Sequence, residues 1–319
     1  MNPENQPSHN GDGENISLTN SKKKRTGKVI YTIAIIIFSC IMLFSLYKVV
    51  SILTQYRIGE SEYEDIAEEF VEKYETYVIP EHISIIEADT SSVETDTSDD
   101  AFVSDEVYTE SDTVLDTTEE KVPEAPKESV IVVPKVDIDY LKSKNSDFAG
   151  WLYLDGTAIN YPVAHGTDNE YYLTHTFYGQ SNINGCIFID YRNNSGMDNK
   201  NLLIYGHHMK SGAMFAVLRK YVWHDFYYSH KYLTYVTEDG PYLITVFSAY
   251  NVSEISDAWK TDFANEQEYA AWLSNIKHAS EISTNITPTV EDKVVTLTTC
   301  SFVYDNARMV VHGIIQPLF

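Results

Sequence analysis

Thr296-Leu297-Thr298-Thr299-Cys300 closes the apolar run Val294–Thr298, and eight residues later Arg308 opens a second, Met309–Ile315. Both runs have the length and β-branched content of strands. A thiol therefore ends one strand and a guanidinium begins the next. Working outward, the pattern recurs at Val130–Val133, Ala158–Val163, Gly185–Asp190, Asn201–Tyr205, Tyr232–Val236 and Tyr242–Tyr250. Eight short strands separated by turn signals predict a barrel or a sandwich. Helices are expected at Asp137–Asn145, which leads into Phe148-Ala149-Gly150-Trp151, and at Ala213–Tyr221. A third, Glu266–Ala279, gathers Tyr269, Trp272, Leu273 and Ile276 on one face. Asn265 and Glu268 fit a capping box at its start. The expected fold class is mainly β with peripheral helices, in a domain running from 130 to 319.

Upstream the composition changes. Residues 1–21 are polar and read as disordered. Lys22-Lys23-Lys24-Arg25 and Lys28 precede an uncharged run, Val29–Tyr47, which extends to Leu53 past Lys48. That reaches the roughly 20 residues needed to cross a bilayer. No small-residue cleavage site follows it, so an uncleaved signal anchor is expected over 29–53, with 1–28 as a basic cytoplasmic tail. The remainder is then expected on the extracellular side. Ser61–Val78 is expected to form an amphipathic helix through Ile66, Phe70, Tyr74 and Tyr77. Ala88–Glu128, rich in Asp, Glu, Ser and Thr, has too little apolar surface to offset its chain entropy and reads as a disordered stalk. Residues 54–129 are thus expected to be a helix plus an acidic linker.

Net charge is −24 over 319 residues. Between Glu60 and Glu128, 24 Asp and Glu face three Lys, so most of the acidity belongs to that segment. No basic stripe runs through the chain, which argues against a nucleic-acid partner.

The three cysteines are Cys40, Cys186 and Cys300. They have no CxxC and no metal-ligand spacing, so no metal is expected. A Cys186–Cys300 disulfide is arithmetically possible. Cys300 is instead read as a nucleophile at a strand end, its thiol needing activation from a pKa near 8.5. A histidine can supply that, and later protonate a leaving amine. His207, after Tyr205-Gly206, is one candidate and His208 is the other; chemistry alone does not separate them. Arg308 is a candidate for holding a substrate carbonyl and its oxyanion.

These residues resemble sortases, the cysteine transpeptidases of Gram-positive surfaces, through the TLxTC pattern at Thr296–Cys300. Gly150-Trp151-Leu152, Ile159-Asn160-Tyr161-Pro162-Val163 and Asp168–Leu173 are similar to class B members. So are Phe177-Tyr178-Gly179, Ile187–Arg192 and Tyr205-Gly206-His207-His208-Met209. The helix before the cysteine strand also fits class B. The resemblance implies an eight-stranded β-barrel with added helices and a His–Cys–Arg site. It selects His207 over His208 and maps the other two roles to Cys300 and Arg308. It further implies that Tyr205, Thr298 and Asn160 line a sorting-motif groove. The acidic residue that often follows the cysteine in this class is Ser301 here. The implied activity is cleavage of a C-terminal sorting motif after Thr and transfer to a peptidoglycan amine, with no cofactor. The implied partners are exported proteins bearing the motif, the peptidoglycan precursor and the membrane. Pilin polymerisation through a lysine acceptor, and a non-catalytic wall-binding ectodomain, are the alternatives.

Overall fold

A computed structural model describes residues 13–79, 130–194, 196–253, 256–300 and 306–319, by main chain alone for 13–27 and for Cys300. The expected stalk and the expected loop Ser301–Asn306, up to Asp305, lie outside the described residues.

The chain divides into two compact units, Met1–Arg57 and Ile58–Phe319. The first is helical from Gly13, within the stretch expected to be disordered, and belongs to the long helix α1 (Gly13–Phe70). Its Val29–Leu53 side chains are largely exposed, as befits a helix long and apolar enough to cross a membrane. Cys40 is a free, exposed thiol within it.

The second unit begins with the last turns of α1, well before the expected boundary at Val130. Tyr63, Ile66 and Phe70 are buried there. The helix expected over Ser61–Val78 ends at Phe70, and Val71–Val78 forms strand β1. β1 pairs antiparallel with β2 (Val130–Val136) in a two-stranded sheet. The Tyr74 and Tyr77 spacing suggested a helical stripe, but a partner more than 50 residues downstream captures the segment. A short helix α2 (Ile138–Lys144) follows, its first turn capped by Asp137.

Eight strands then close a barrel. They are β3 (Phe148–Tyr153), β4 (Asn160–Ala164), β5 (Ile187–Ile189), β6 (Asn201–Tyr205), β7 (Tyr232–Thr237), β8 (Gly240–Ser253), β9 (Lys293–Cys300) and β10 (Ala307–Pro317). The circuit runs β10-β8-β7-β3-β4-β5-β6-β9. The expected number of barrel strands is right, but its membership differs by one. β2 lies outside the barrel, and Phe148–Tyr153, which was not read as a strand, completes it. Helix α3 (Tyr171–Thr174), a 3₁₀ segment (Phe215–Val222), α4 (His224–Ser229) and α5 (Glu266–His278) lie between the strands.

α5 packs its expected face on the barrel. Tyr269, Trp272, Leu273 and Ile276 form one cluster with Phe247, Val294, Val310 and Ile314. Asn265 Oδ1 accepts from Glu268 N at 2.9 Å, as a cap should. The return half of the box differs: Glu268 accepts from Ala264 N and from Lys260 Nζ instead. His312 of β10 is fully buried beneath this helix, between Thr296 Oγ1 at 2.8 Å and Tyr250 Oη at 3.1 Å.

Candidate active site

β9 runs between β6, which is parallel to it, and β10, which is antiparallel. Two registers decide what meets at its end. Tyr205 pairs with Thr298, and Arg308 pairs with Cys300. The Gly206 amide donates to the Thr298 carbonyl at 3.1 Å, extending the β6–β9 contact one residue further. His207 thus stands two residues beyond a matched pair, as Cys300 does on the neighbouring strand. Opposed antiparallel residues have Cα atoms about 4.5–5.5 Å apart. Three chemically distinct residues therefore end three adjacent strands at one rim of the barrel.

Glycine makes that rim possible at two points. A Cβ at Gly206 would come within 2.5 Å of Ile187 Cδ1 and 2.7 Å of the Phe215 ring. Gly185, at φ +59°, would meet the Tyr172 carbonyl at 2.5 Å and His207 Cδ2 at 3.1 Å. The His207 ring is partly exposed, and its Nε2 lies 2.7 Å from the Leu173 carbonyl. A carbonyl only accepts, so Nε2 carries a proton and donates it there. Nδ1 is left as the nitrogen free to exchange one. The His207 carbonyl accepts from Phe215 N at 2.9 Å, which fixes the backbone on the other side. His208 turns into a separate feature, an isolated bridge with Met214. Arg308 is partly buried, and its Nη1 donates to the Ala307 carbonyl at 3.2 Å.

The residues expected to line a groove have internal partners. Tyr205 Oη donates to Asp190 Oδ2 at 3.0 Å, and burial, then the Asp190 charge, raises its pKa well above the phenol value. Asn160 accepts from Trp151 Nε1 at 2.9 Å and donates to Tyr74 Oη at 3.0 Å. Thr298 is buried, and among the described residues its Oγ1 has no hydrogen-bond partner. Asn160 also lines a cavity of about 350 Å³ with Glu60, Tyr63, Glu64, Tyr161 and Ala213.

Two contributors escaped the sequence reading. Asp190 is fully buried and accepts from Arg192 Nε and Nη2 at 2.9 and 2.8 Å and from Asn169 at 3.0 Å. Burial alone would raise its carboxyl, but the Arg192 hydrogen bonds and charge hold it below the usual range. The Asp190-Tyr191-Arg192 spacing was the available signal. Tyr63 is the other: its hydroxyl donates to the Gly185 carbonyl at 2.6 Å and accepts from Phe177 N at 3.2 Å. It ties α1 to the glycine against which His207 rests.

Cys186 is a free, buried thiol, which removes the arithmetic Cys186–Cys300 disulfide. Burial pushes its pKa up to about 12, so it is held as an inert thiol. Among the described residues no group of three or more His, Cys, Asp or Glu is arranged to hold a metal ion.

A barrel of this circuit with a thiol at its rim defines a class, and the comparisons name it. A Sortase domain family model matches residues 152–315. The chain belongs to the sortase family of cysteine transpeptidases, cell-envelope enzymes, and within it to class B. It is 38% identical over 166 residues to Sortase B of Staphylococcus aureus (strain NCTC 8325 / PS 47), covering 52% of this chain and 68% of that protein. It is 35% identical over 175 residues to Sortase B of Listeria monocytogenes serovar 1/2a, covering 54% and 71%. A solved Staphylococcus aureus sortase B–substrate complex superimposes with a TM-score of 0.54 at 36% identity, covering 57% of this chain and 85% of the other.

Proposed function

We propose that this transpeptidase cleaves a C-terminal sorting motif of exported proteins after Thr and joins the acyl group to an amine of a peptidoglycan precursor. The observation that carries the site assignment is the shared register of His207, Cys300 and Arg308 at the ends of β6, β9 and β10. In the first half-reaction His207 Nδ1 takes the Cys300 thiol proton as the sulfur attacks the Thr carbonyl carbon. The C–N bond breaks, and His207 gives a proton from Nδ1 to the leaving amine. In the second half the acceptor amine attacks the thioester, the C–S bond breaks, and His207 Nδ1 takes the amine proton. Arg308 stabilises the oxyanion in both halves. The thioester conserves the acyl energy, so the scheme needs no nucleotide.

Asn160, Tyr205 and Thr298 are proposed to shape the peptide groove, Tyr205 and Asn160 through their internal bonds rather than as free donors. The apolar part of α1 is proposed as a single-pass anchor with the basic N-terminus in the cytoplasm, the catalytic unit outside and residues 80–129 as an acidic stalk. Incubation of the full chain in detergent with sorting-motif peptides and candidate amines, read by mass spectrometry, tests this. An acyl adduct on Cys300, resolved by one amine, is the expected result; an adduct elsewhere, or cleavage with Cys300 unmodified, sinks it.

A further inference from the structure

The loop that follows His207 forms one wall of a cavity of about 890 Å³. The turn Gly156–Ala158 between β3 and β4 forms another, and the 3₁₀ segment with Phe226 and His230 forms the rest. Lys210, Arg219 and Lys220 bring three basic side chains to it, with His208 and His230 beside them, and among the described residues no Asp or Glu lines it. In a chain of net charge −24 this is a local inversion of sign. None of the three is in an ion pair among the described residues. Lys220 Nζ lies 5.7 Å over the Phe226 ring, and His230 stacks on that ring at 4.1 Å.

The loop that carries Lys210 is tied down. Met214 N donates to Tyr161 Oη at 3.0 Å, and Met214 bridges back to His208. Ala158, Ser211 and Gly212 are shared with the neighbouring smaller cavity, where Glu60 and Glu64 supply the opposite sign. Solvated surface lysines explain single charges. They do not explain three unpaired cations around one concavity with the carboxylates gathered in the next. A field arranged this way draws an anion to one side of the shared wall and repels it from the other.

We propose that this basic cavity is the acceptor subsite, holding an oxyanion group (carboxylate or phosphate) borne by the molecule whose amine resolves the thioester. The inference rests on the Cys300–His207 reading above. The cavity starts one residue after His207, the group assigned to take the incoming amine's proton. Its positive field also disfavours the protonated, unreactive form of that amine.

Two measurements on the full chain in detergent test it. In the first, calorimetry follows binding of inorganic diphosphate and of a dicarboxylate peptide, with no chemistry required. Wild type should bind at least one, and Lys210→Gln/Arg219→Gln should lose about tenfold or more in affinity, as expected for charge-assisted contacts. In the second, acceptor KM is compared for an uncharged-tail amine, a carboxylate-bearing amine and a diphosphate-bearing amine. The double variant and Arg219→Glu should raise KM for an anionic acceptor about tenfold while the uncharged one moves less than about twofold. Whichever arm shifts names the source of the oxyanion. Equal shifts for all acceptors, or no binding of either anion by wild type, overturn the proposal. Thioacyl formation on Cys300, followed separately, reports on the site assignment alone.

Discussion

His207 lies just past the end of β6 and His312 on β10, the two strands either side of β9, and they live in opposite environments. His312 is fully buried, bonded to Thr296 and Tyr250 and covered by Trp272, and burial drives its pKa down to about 3. His207 sits at the rim, partly exposed, with one nitrogen committed to a carbonyl and the other open. The cysteines repeat the contrast, since Cys186 is sealed in the core with a raised pKa while Cys300 ends a strand beside Arg308. A perturbed pKa here marks packing, and the proposed chemistry falls at strand ends. Perturbation is evidence for function only where a substrate can reach the group.

The sharpest way to break that contrast is to exchange its members. Cys300→Ala should abolish acyl-adduct formation, while Cys186→Ala should retain it and lose stability by about 1–2 kcal/mol from lost packing. Adduct formation by mass spectrometry and thermal melting read the two effects. A labelled Cys300→Ala protein would move the nucleophile elsewhere.

The histidines come next in size. His207→Ala should slow donor-peptide cleavage by at least about 100-fold, the usual scale for a general acid–base group. His208→Ala should cost under about tenfold, since its backbone bridge to Met214 survives the change. The reverse ranking would transfer the proton-transfer role to His208.

His312 sharpens the core side through pH. Its folded pKa is depressed below the unfolded value of about 6.5, so the unfolded chain binds the proton that the folded core refuses. The stability it allows is complete above pH 6.5 and is lost as pH falls toward 3. Between pH 6.5 and 4.5 that loss is about 2–3 kcal/mol. In His312→Gln, which keeps a donor and an acceptor, unfolding midpoints should fall less steeply over that window. Parallel slopes for both proteins would show that His312 does not govern acid lability.

Much of this was legible because the signals are local. Asn201–Tyr205, the α5 face and the Cys300–Arg308 spacing each sit in one short run, and the strand and helix periods expose them. β1 was not legible, since Glu and Lys alternate with its aromatics and its pairing partner is remote in sequence. β3 was hidden by Gly150, whose missing Cβ makes room for the Tyr235 ring: a Cβ there would lie 2.6 Å from it. The types of group proposed to react, a thiol, an imidazole and a guanidinium, were legible, while the choice of His207 over His208 came from the resemblance. The Asp190–Arg192 spacing was visible, but the bond from Tyr205 to Asp190 and the Tyr63–Gly185 link were not, because both depend on which elements remote in sequence pack together.

The same distinction divides α1 and gives the smallest expected effect. Its Val29–Leu53 stretch has largely exposed apolar side chains, and its residues before Ile58 belong to a different compact unit. From Ile58 onward it buries Tyr63, Ile66 and Phe70 and supports Gly185 beside His207. Deleting 1–57 should therefore leave peptide cleavage in solution within about twofold of the full chain, because no proposed contact to substrate is removed. Deleting 1–79 should lower the unfolding midpoint and slow cleavage, since three apolar side chains lose about 1.5–3 kcal/mol each of burial. In cells the first truncation should reduce anchoring, because substrate and enzyme no longer share a membrane and their effective concentration falls. An unrelated signal anchor joined to residue 58 should recover it. Recovery only with the native segment would mean that α1 before Ile58 makes specific contacts, and the division of the helix into tether and scaffold would fail.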